Sequence, residues 1–390
     1  MAKEGLIREL KETLGESHVL YLPEDLFGYE YDATIERAQP DAVVLPGTAE
    51  EVASVVQIAN THQVAIVPRG SGTGLAGGTV PVRGGIVIAL TRMNRILELD
   101  PQNRLAIVEP GLINLDLQDA CAKYGLRYAP DPSSQRICTL GGNVGTNAGG
   151  PHTLAHGSTV NHVLGIEVVL PNGRLTWLGG RQLDTPGPDQ RGAFCGSEGT
   201  LGVITEITLR LFGIPESITA AVCTFPDVDS AVDTVITTIQ CGIPVARVEL
   251  LDEVQIDAIN RYSNTELEAA PTLLLEFHGS ENYAAEQAQM VQELALDNGG
   301  SNFQWTSNTE ERNRLWQARH DAAYACKVLR PGGTIWATDV CVPISRLAEC
   351  IRETREDIKA SNLIAPIAGH VGDGNFHLCM VVNHNDPEEQ

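Results

Sequence analysis

The glycine-rich stretch 68–78 is the part of this sequence best suited to bind an anion. It reads Pro68-Arg-Gly-Ser-Gly-Thr-Gly-Leu-Ala-Gly-Gly78 and comes after Val64–Val67, an apolar run that predicts a buried strand. Glycines let backbone N–H groups approach an anion closely, while Ser71, Thr73 and Arg69 add hydroxyl donors and positive charge. We therefore expect the stretch to bind a pyrophosphate; an ordinary surface loop is the alternative.

The residues directly after these glycines exclude two common nucleotide motifs. Gly72–Gly77 matches G-x-G-x-x-G, but the nicotinamide fingerprint needs a helix immediately afterwards. Pro81 and Gly84-Gly85 prevent that helix, and Gly85–Leu90 predicts a second strand instead. A Walker A loop is excluded because the glycines lead into no Gly-Lys-Ser/Thr. A strand, a glycine loop and a second strand favour a flavin dinucleotide held in a different fold.

Two further stretches have the composition of a ligand-lining backbone. Pro130–Ser134 and Cys138–Gly150 mix glycines with asparagines and threonines, whose side chains can orient the polar edges of an isoalloxazine ring. Gly196–Thr205 is another glycine loop that enters a strand. A series of tight turns is the alternative for the first two.

Histidines flank a turn near the end of the chain. His370 and His377 stand on either side of Gly372-Asp-Gly374, so both can face one point and bind a metal through neutral imidazole nitrogens. From the residues alone a metal site and a simple turn remain equally open, and Asp373 is the only nearby carboxylate. For His152, and likewise for 156 and 162, we expect local hydrogen bonds rather than catalysis.

Composition restricts the class of protein. The chain has 390 residues, and its formal net charge of −23 argues against nucleic acid and anionic membrane surfaces as partners. Nine cysteines without a C-x-x-C pair argue against zinc ribbons and iron–sulfur ligation and indicate a reducing compartment. No apolar stretch is long enough to span a bilayer. We predict a cytoplasmic protein, with peripheral membrane association left open.

The distribution of glycines and of predicted elements along the sequence predicts two domains. Residues 1–215, with a core from about 38, hold the glycine-rich stretches, and residues 216–390 alternate strands and helices as a second α+β domain. The predicted helices are 4–14, 49–62, 111–124, 228–239, 282–297 and 309–325. The two predicted hairpins are 94–108 and 163–178.

In this order, the stretches 68–78, 130–150, 196–205 and 369–377 resemble the vanillyl-alcohol-oxidase-type flavoproteins, in the FAD-linked oxidase branch with a C-terminal cap. Within that branch the chain is most similar to D-lactate dehydrogenases of the cytochrome type. The motifs behind this similarity are 247–253, 260–263, 270–280, 338–347 and 369–377. The glycolate oxidase flavin subunit is a near relative.

The resemblance implies an α+β fold with a PCMH-type FAD-binding domain and a ferredoxin-like α+β cap domain that closes over the flavin. It puts 68–78 on the pyrophosphate, and 130–150 and 196–204 on the ring and ribityl chain. The residues it assigns to FAD are Pro68, Arg69, Gly70, Ser71, Gly72, Thr73, Gly74, Gly77, Gly78, Pro130, Asp131, Thr139, Gly141, Gly142, Asn143, Thr146, Asn147, Gly149, Gly150, Glu198, Gly202 and Ile204.

The resemblance also implies a reaction. His370 and His377 would bind a divalent, zinc-like metal that holds the substrate hydroxyl, and Arg319 would clamp the substrate carboxylate. From the residues alone, Arg319 is better explained as an exposed helix arginine. The implied reaction oxidises a D-2-hydroxy acid, D-lactate to pyruvate, by hydride transfer to FAD, with electrons passed to a cytochrome or quinone. Glycolate is the alternative substrate.

The chain departs from the family at its end. Family members continue beyond the Gly-Asp-Gly turn with a Glu-His-Gly segment that supplies a glutamate ligand and a histidine proposed as base. This sequence ends at Gln390. We therefore expect a cap domain without the C-terminal part of the family fold, and a chain that binds flavin without catalysis becomes a third alternative.

Overall fold

The computed structural model describes residues 2–182, 187–383, 386 and 389. The chain forms two compact units. The first unit contains Met1–Gly150 and His156–Ile214, and the second contains Pro151–Ala155 and Pro215–Gln390.

Helices and strands alternate along most of the chain. The helices are α1 Ala2–Leu14, α2 Pro23–Leu26, α3 Ala49–His62, α4 Asn114–Ala122, α5 Leu140–Thr146, α6 Thr153–His156, α7 Gln190–Phe194, α8 Val228–Gln240, α9 Glu253–Ser263, α10 Glu281–Asp297, α11 Thr309–Leu329 and α12 Leu347–Ser361. The strands are β1 Val19–Leu20, β2 Ala42–Val44, β3 Ile66–Arg69, β4 Ile86–Ala89, β5 Ile96–Asp100, β6 Leu105–Val108, β7 Leu126–Arg127, β8 Val163–Val169, β9 Leu175–Gly179, β10 Val203–Arg210, β11 Phe212–Gly213, β12 Ser217–Thr224, β13 Arg247–Leu251, β14 Thr272–Gly279, β15 Ser301–Thr306, β16 Thr334–Ala337, β17 Val340–Cys341, β18 Ile367–Gly369 and β19 Asn375–Val382.

The first unit contains a small sheet that carries the glycine loop. Its strand order is β1-β2-β4-β3, and β2, β4 and β3 run parallel. Residues 70–85, all of them described, connect β3 to the parallel strand β4 without a helix, although such a crossover is usually helical. The predicted strand, glycine loop and strand are therefore confirmed, and residues 66–89 do not form a dinucleotide βαβ unit.

Helix α3 covers this sheet and begins where its sequence predicts. Thr48 Oγ1 accepts a hydrogen bond from Glu51 N at 3.2 Å, and the Glu51 carboxylate accepts one from Gly47 N at 2.6 Å. The pair resembles a capping box, except that Glu51 accepts from the residue before the N-cap instead of from Thr48 itself. Val52, Val55 and their neighbours are buried against the sheet. The second sheet of this unit is antiparallel, in the order β5-β6-β10-β8-β9.

In the first unit the structure excludes one alternative and corrects one predicted helix boundary. The alternative of a series of tight turns does not hold after Thr139, where the glycine-rich run forms helix α5, which Thr139 Oγ1 caps by accepting from Gly142 N at 3.2 Å. The helix predicted at 111–124 begins only at Asn114. At Gly111 the backbone passes so close to Leu90 that a Cβ would lie 2.2 Å from its carbonyl oxygen.

The second unit is a sheet with helices on both faces. Strands β12 to β15, with α8 and α10, make a βαββαβ arrangement in the order β15-β12-β14-β13, and β18, β19 and β16 extend the sheet. Alternate residues of the strands face opposite sides. One face packs on α8, α10 and α12, and the other on α9 and α11. The charged residues of β13 and β14 share the α11 face.

Candidate active site

In the first unit, the three glycine-rich stretches meet at one place. A Cβ on Gly70 would lie 2.1 Å from Thr139 Oγ1, and one on Gly78 would lie 2.3 Å from Glu198 Oε2. Ser71 Oγ donates to the carbonyl oxygen of Ile137 at 2.5 Å. Stretches separated by more than 60 residues in sequence therefore lie against one another, and at Gly70 and Gly78 the absence of a Cβ permits the close approach.

The backbone of this loop has the donors that a pyrophosphate needs. The N–H groups of residues 71–78 donate no hydrogen bond to any part of the chain that the structure describes. Gly72 and Gly77 have φ of +70° and +76°, a region that glycine adopts without strain. Consecutive N–H groups without partners, in a loop that bends at glycines, form an anion-binding concavity. The residues present therefore fit the pyrophosphate of FAD.

Arg69 lies beneath this loop. The residue is 6% exposed, and its guanidinium donates to the carbonyl oxygen of Tyr31 at 2.8 Å and to Thr79 Oγ1 at 3.2 Å and lies next to Gly72. Burial lowers the pKa of Arg69, although Asp32 opposes this shift. The buried Arg69 charge can attract an anion in the loop without direct contact, while its hydrogen bonds to Tyr31 and Thr79 fix the conformation of the loop.

The polar side chains of stretch 130–150 hydrogen-bond mostly to other atoms of the protein. Asn143 is 3% exposed, and its amide bonds Asn114 at 3.0 Å and Cys138 Sγ at 3.3 Å. Asn147 Oδ1 accepts from Val160 N at 2.9 Å, and Thr146 Oγ1 donates to Gly142 O at 3.0 Å. Contacts of these residues with a ligand would therefore run through the backbone, and the side chains fix its course.

At other positions that the resemblance assigns to FAD, the close approach of neighbouring atoms explains why the residue is glycine. A Cβ on Gly141 would lie 2.5 Å from Pro110 Cβ, and one on Gly150 would lie 2.5 Å from the carbonyl oxygen of Asp131. Gly202 approaches the Val169 carbonyl oxygen in the same way, and Ile204 is buried in the core of the five-stranded sheet.

In the second unit, a buried carboxylate joins two of the predicted catalytic residues. Glu249 of β13 is fully buried. Its Oε2 accepts from Arg319 Nε of α11 at 2.5 Å, and its Oε1 lies 2.5 Å from His370 Nδ1. Arg319 and His370 are 70 and 121 residues away from Glu249 in sequence, and the fold brings all three together. We refer to Glu249, Arg319, His370 and His377 as the Glu249 cluster.

The electrostatics of the Glu249 cluster follow from these contacts. Burial by itself would raise the pKa of Glu249, but Arg319 and His370 outweigh it and hold the value at about 2. Burial opposes the charge on His370, and the Glu249 carboxylate overcomes this and raises the His370 pKa. Burial and the neighbouring charge of His370 lower the pKa of His377. Glu249 is therefore ionised, and His377 is neutral.

Both histidines have the orientation expected of metal ligands. His370 Nδ1 bonds Glu249, and His377 Nδ1 lies 3.1 Å from the carbonyl oxygen of Thr338. The ring centroids are 5.5 Å apart, and neither Nε2 hydrogen-bonds to any described residue. An imidazole whose Nδ1 is held by a carboxylate or carbonyl presents Nε2 to a metal. Within the described residues, however, this pair has no carboxylate grouped with it as a third ligand.

Arg319 keeps one edge of its guanidinium available. Its Nε is used by Glu249, and its two Nη groups donate to none of the residues that the structure describes. The side chain is 19% exposed. An arginine held from behind by a buried carboxylate can offer its Nη pair to an anion.

A second buried carboxylate, Glu276 of β14, lies on the same face of the sheet. Arg247 Nη2 donates to its Oε2 at 2.5 Å, while His152 and His278 lie against its Oε1. The prediction of a local partner is therefore wrong for His152, which pairs with a residue 124 positions away. His156 pairs with Arg127 at 2.8 Å. Sequence reasoning missed both glutamates.

Comparisons with known proteins agree with both units. Residues 40–179 match the family described as FAD binding domain, and residues 214–390 match the family described as FAD linked oxidases, C-terminal domain. The structure of 4-ethylphenol oxidase from Gulosibacter chungangensis superposes with a TM-score of 0.81 at 19% identity, covering 100% of this chain and 84% of that one. The fold is therefore that of the vanillyl-alcohol-oxidase-type flavoproteins.

Two curated relatives are more similar in sequence. The probable mitochondrial D-lactate dehydrogenase of Danio rerio is 43% identical over 363 residues, which are 92% of this chain and 73% of the relative. Glycolate oxidase subunit GlcD of Bacillus subtilis is 37% identical over 93% of this chain and 77% of its own length. The chain belongs to the FAD-linked oxidases and is an FAD-dependent oxidoreductase.

One negative finding concerns membranes. No helix within the described residues combines the length and the hydropathy that a bilayer crossing requires.

Proposed function

We propose that the protein oxidises a D-2-hydroxy acid, with D-lactate converted to pyruvate as its preferred reaction. The observation that carries the proposal is the Glu249 cluster, in which one buried carboxylate orients both an arginine and a histidine whose outer edges stay available. The substrate class is also that named for the Danio rerio relative.

The roles of the residues follow from their available atoms. The Arg319 Nη groups bind the substrate carboxylate, and this two-point contact fixes which face of C2 is presented for oxidation. The Nε2 atoms of His370 and His377 would hold a divalent metal, which lowers the pKa of the substrate hydroxyl. FAD, held by stretches 68–78, 130–150 and 196–204, supplies the two-electron acceptor. Oxidation removes a hydride from C2 and the hydroxyl proton.

The buried glutamate has a positioning role in this scheme. Glu249 keeps the proton of His370 on Nδ1, so that Nε2 remains a lone-pair donor, and holds the Arg319 fork in one orientation. Without it, the Arg319 guanidinium would lose its carboxylate partner and the His370 ring would lose the acceptor that holds its Nδ1 proton.

The glycolate reaction is the second candidate. It is supported by the similarity to subunit GlcD, and a clamp for a carboxylate accepts glycolate as readily as lactate. Rates with D-lactate, L-lactate and glycolate and an artificial electron acceptor separate these possibilities. D-lactate turned over fastest supports the proposal, and glycolate turned over fastest would replace it with the alternative.

A further proposal concerns the electron acceptor. We propose a cytochrome or quinone as electron acceptor, and a net charge of −23 suits a basic cytochrome. The domain boundary near residue 215 and the cytoplasmic location stay predictions.

A further inference from the structure

Outside the Glu249 cluster, a second group of potential metal ligands lies within the second unit. Glu276 and His278 are two residues apart on β14 and so share one face of the sheet. His152 comes from the short segment Pro151–Ala155, which packs with this unit. We refer to His152, Glu276 and His278 as the Glu276 triad. In the described part of the chain, these are the three ligand-type residues whose donor atoms lie within 4.8 Å of one another.

The donor atoms of the Glu276 triad converge on one point. His152 Nε2 lies 3.0 Å and His278 Nε2 lies 2.7 Å from the same atom, Glu276 Oε1. The two rings are 5.3 Å apart and inclined by 32°. Zn²⁺–nitrogen bonds of about 2.0–2.1 Å place the ligands of a tetrahedral ion about 3.3 Å from each other. The two nitrogen–oxygen separations would therefore need to open by about 0.3 Å for His152 and about 0.6 Å for His278 to admit the ion.

The surroundings hold the carboxylate ready for this role. Glu276 is 4% exposed, and its other oxygen accepts two hydrogen bonds from Arg247 at 2.5 and 3.1 Å. The Arg247 guanidinium in turn lies 3.3 Å from the centre of the Trp316 ring. A ligand carboxylate whose second oxygen is fixed by a hydrogen bond is typical of built metal sites. Burial would raise the pKa of Glu276, but Arg247 and the two histidines hold it well below its usual value.

We propose that the Glu276 triad is a second binding site for a divalent transition metal such as Zn²⁺, separate from the pair His370 and His377. Two imidazoles and one carboxylate are a donor set that Zn²⁺ prefers, and three protein ligands leave a fourth position for water or another small ligand. Because His152 is 124 residues from Glu276, the ion would fasten the segment 151–155 to strand β14.

The competing explanation is that the two imidazoles simply donate hydrogen bonds to the carboxylate. It predicts no metal and needs a proton on Nε2 of both rings, whereas metal binding needs both Nε2 atoms deprotonated. A metal ion used as a spectroscopic probe distinguishes these states directly.

The test uses Co²⁺ as the probe and the full chain with FAD, in a His370→Ala background that disables the other histidine pair. We expect one Co²⁺ per chain, with the visible d–d bands of a four-coordinate site. Adding His278→Gln should abolish these bands and weaken Co²⁺ binding at least tenfold. Adding His18→Gln, a change in the first unit, should leave both unchanged. Because no substrate is used, the outcome is independent of the proposed activity.

A second variant guards against misfolding. His152→Gln removes a ligand from the short segment instead of from the sheet, and thermal unfolding confirms that each variant is folded. Loss of the Co²⁺ bands in either folded variant supports the site. The proposal is overturned if the His370→Ala protein binds no Co²⁺, or if both triad variants bind it with unchanged spectra and affinity.

Discussion

Replacing Glu249 by glutamine tests the central contact of the Glu249 cluster. Glutamine has the same shape but presents one oxygen and one NH₂ group where the carboxylate presents two acceptors. Arg319 Nε and His370 Nδ1 both donate to Glu249, so one of them would face another donor in the variant. The change therefore removes charge pairing without creating a cavity.

The magnitude follows from the shifted pKa. The value for Glu249 falls from 4.5 to about 2, and at 1.36 kcal/mol for each pKa unit this is about 3 kcal/mol of stability. Breaking a buried ion pair costs about 3–5 kcal/mol, which agrees. Because the pKa is lower in the folded protein, this stabilisation is fully present above pH 4.5 and is lost as the pH falls towards 2.

The assay is urea unfolding of the full chain at pH 7 and at about pH 3, followed by the fluorescence of its tryptophans, which are Trp305, Trp316 and Trp336 in the second unit and Trp177 in the first. We expect Glu249→Gln to lower the free energy of unfolding by about 3 kcal/mol at pH 7, and by less at about pH 3, which lies between the folded and the ordinary pKa of Glu249. Glu349→Gln is the control, because its pair with Arg346 is exposed and is worth less than about 1 kcal/mol. Equal effects of the two changes would refute the reasoning.

The same variant has a second consequence for metal binding. Loss of the carboxylate behind His370 removes the partner that fixes its ring, and such outer partners are worth about 10–100-fold in metal affinity. We expect Zn²⁺ binding at the His370 and His377 pair to weaken by that factor. An unchanged Zn²⁺ affinity would show that Glu249 does not position His370 as a metal ligand.

Three further predictions concern the arginine clamp, a buried aspartate and the glycine loop. Arg319→Lys keeps the charge but loses the two-point fork, so KM for D-lactate should rise about tenfold or more while the FAD absorbance is retained; an unchanged KM would remove Arg319 from the site. Burial raises the Asp252 pKa to about 7 from 3.8, so this group favours folding at low pH and loses that contribution as the pH rises through 7. Asp252→Asn keeps the cap on Gln255 and should stabilise the protein above about pH 8, by at most about 4 kcal/mol, with no gain near pH 4; urea midpoints at both pH values decide this. Gly72→Ala places a Cβ 2.1 Å from Arg69 Nη2 at a φ of +70°, so FAD affinity should fall at least about tenfold in a flavin titration, and unchanged affinity would contradict the proposed pyrophosphate loop.

Local rules were sufficient for much of the fold. Helix Ala49–His62 has the predicted bounds because its capping box and its apolar spacing both lie within the segment. The hairpins at 94–108 and 163–178 also form, since their turn residues specify them. The dinucleotide motif at Gly72–Gly77 was rightly rejected, because Pro81 and the next strand are visible in sequence.

The Glu249 cluster could not be assembled in the same way. Arg319 looks like an exposed helix arginine until its partner on a strand 70 residues earlier is known. A signal was nevertheless present. Arg247 and Glu249 alternate with Val248 and Leu250 in a strand that helices cover on both faces. Charged residues at such positions must be paired, and only the folded structure shows that the partners of Glu249 are Arg319 and His370.

The most direct test of the proposed function is the visible absorption spectrum of the purified chain with bound FAD, before and after anaerobic addition of D-lactate. The account predicts that the flavin bands are present and bleach with D-lactate, more rapidly than with glycolate or L-lactate. Flavin bands that persist with every 2-hydroxy acid would contradict it and leave a protein that binds FAD without this activity.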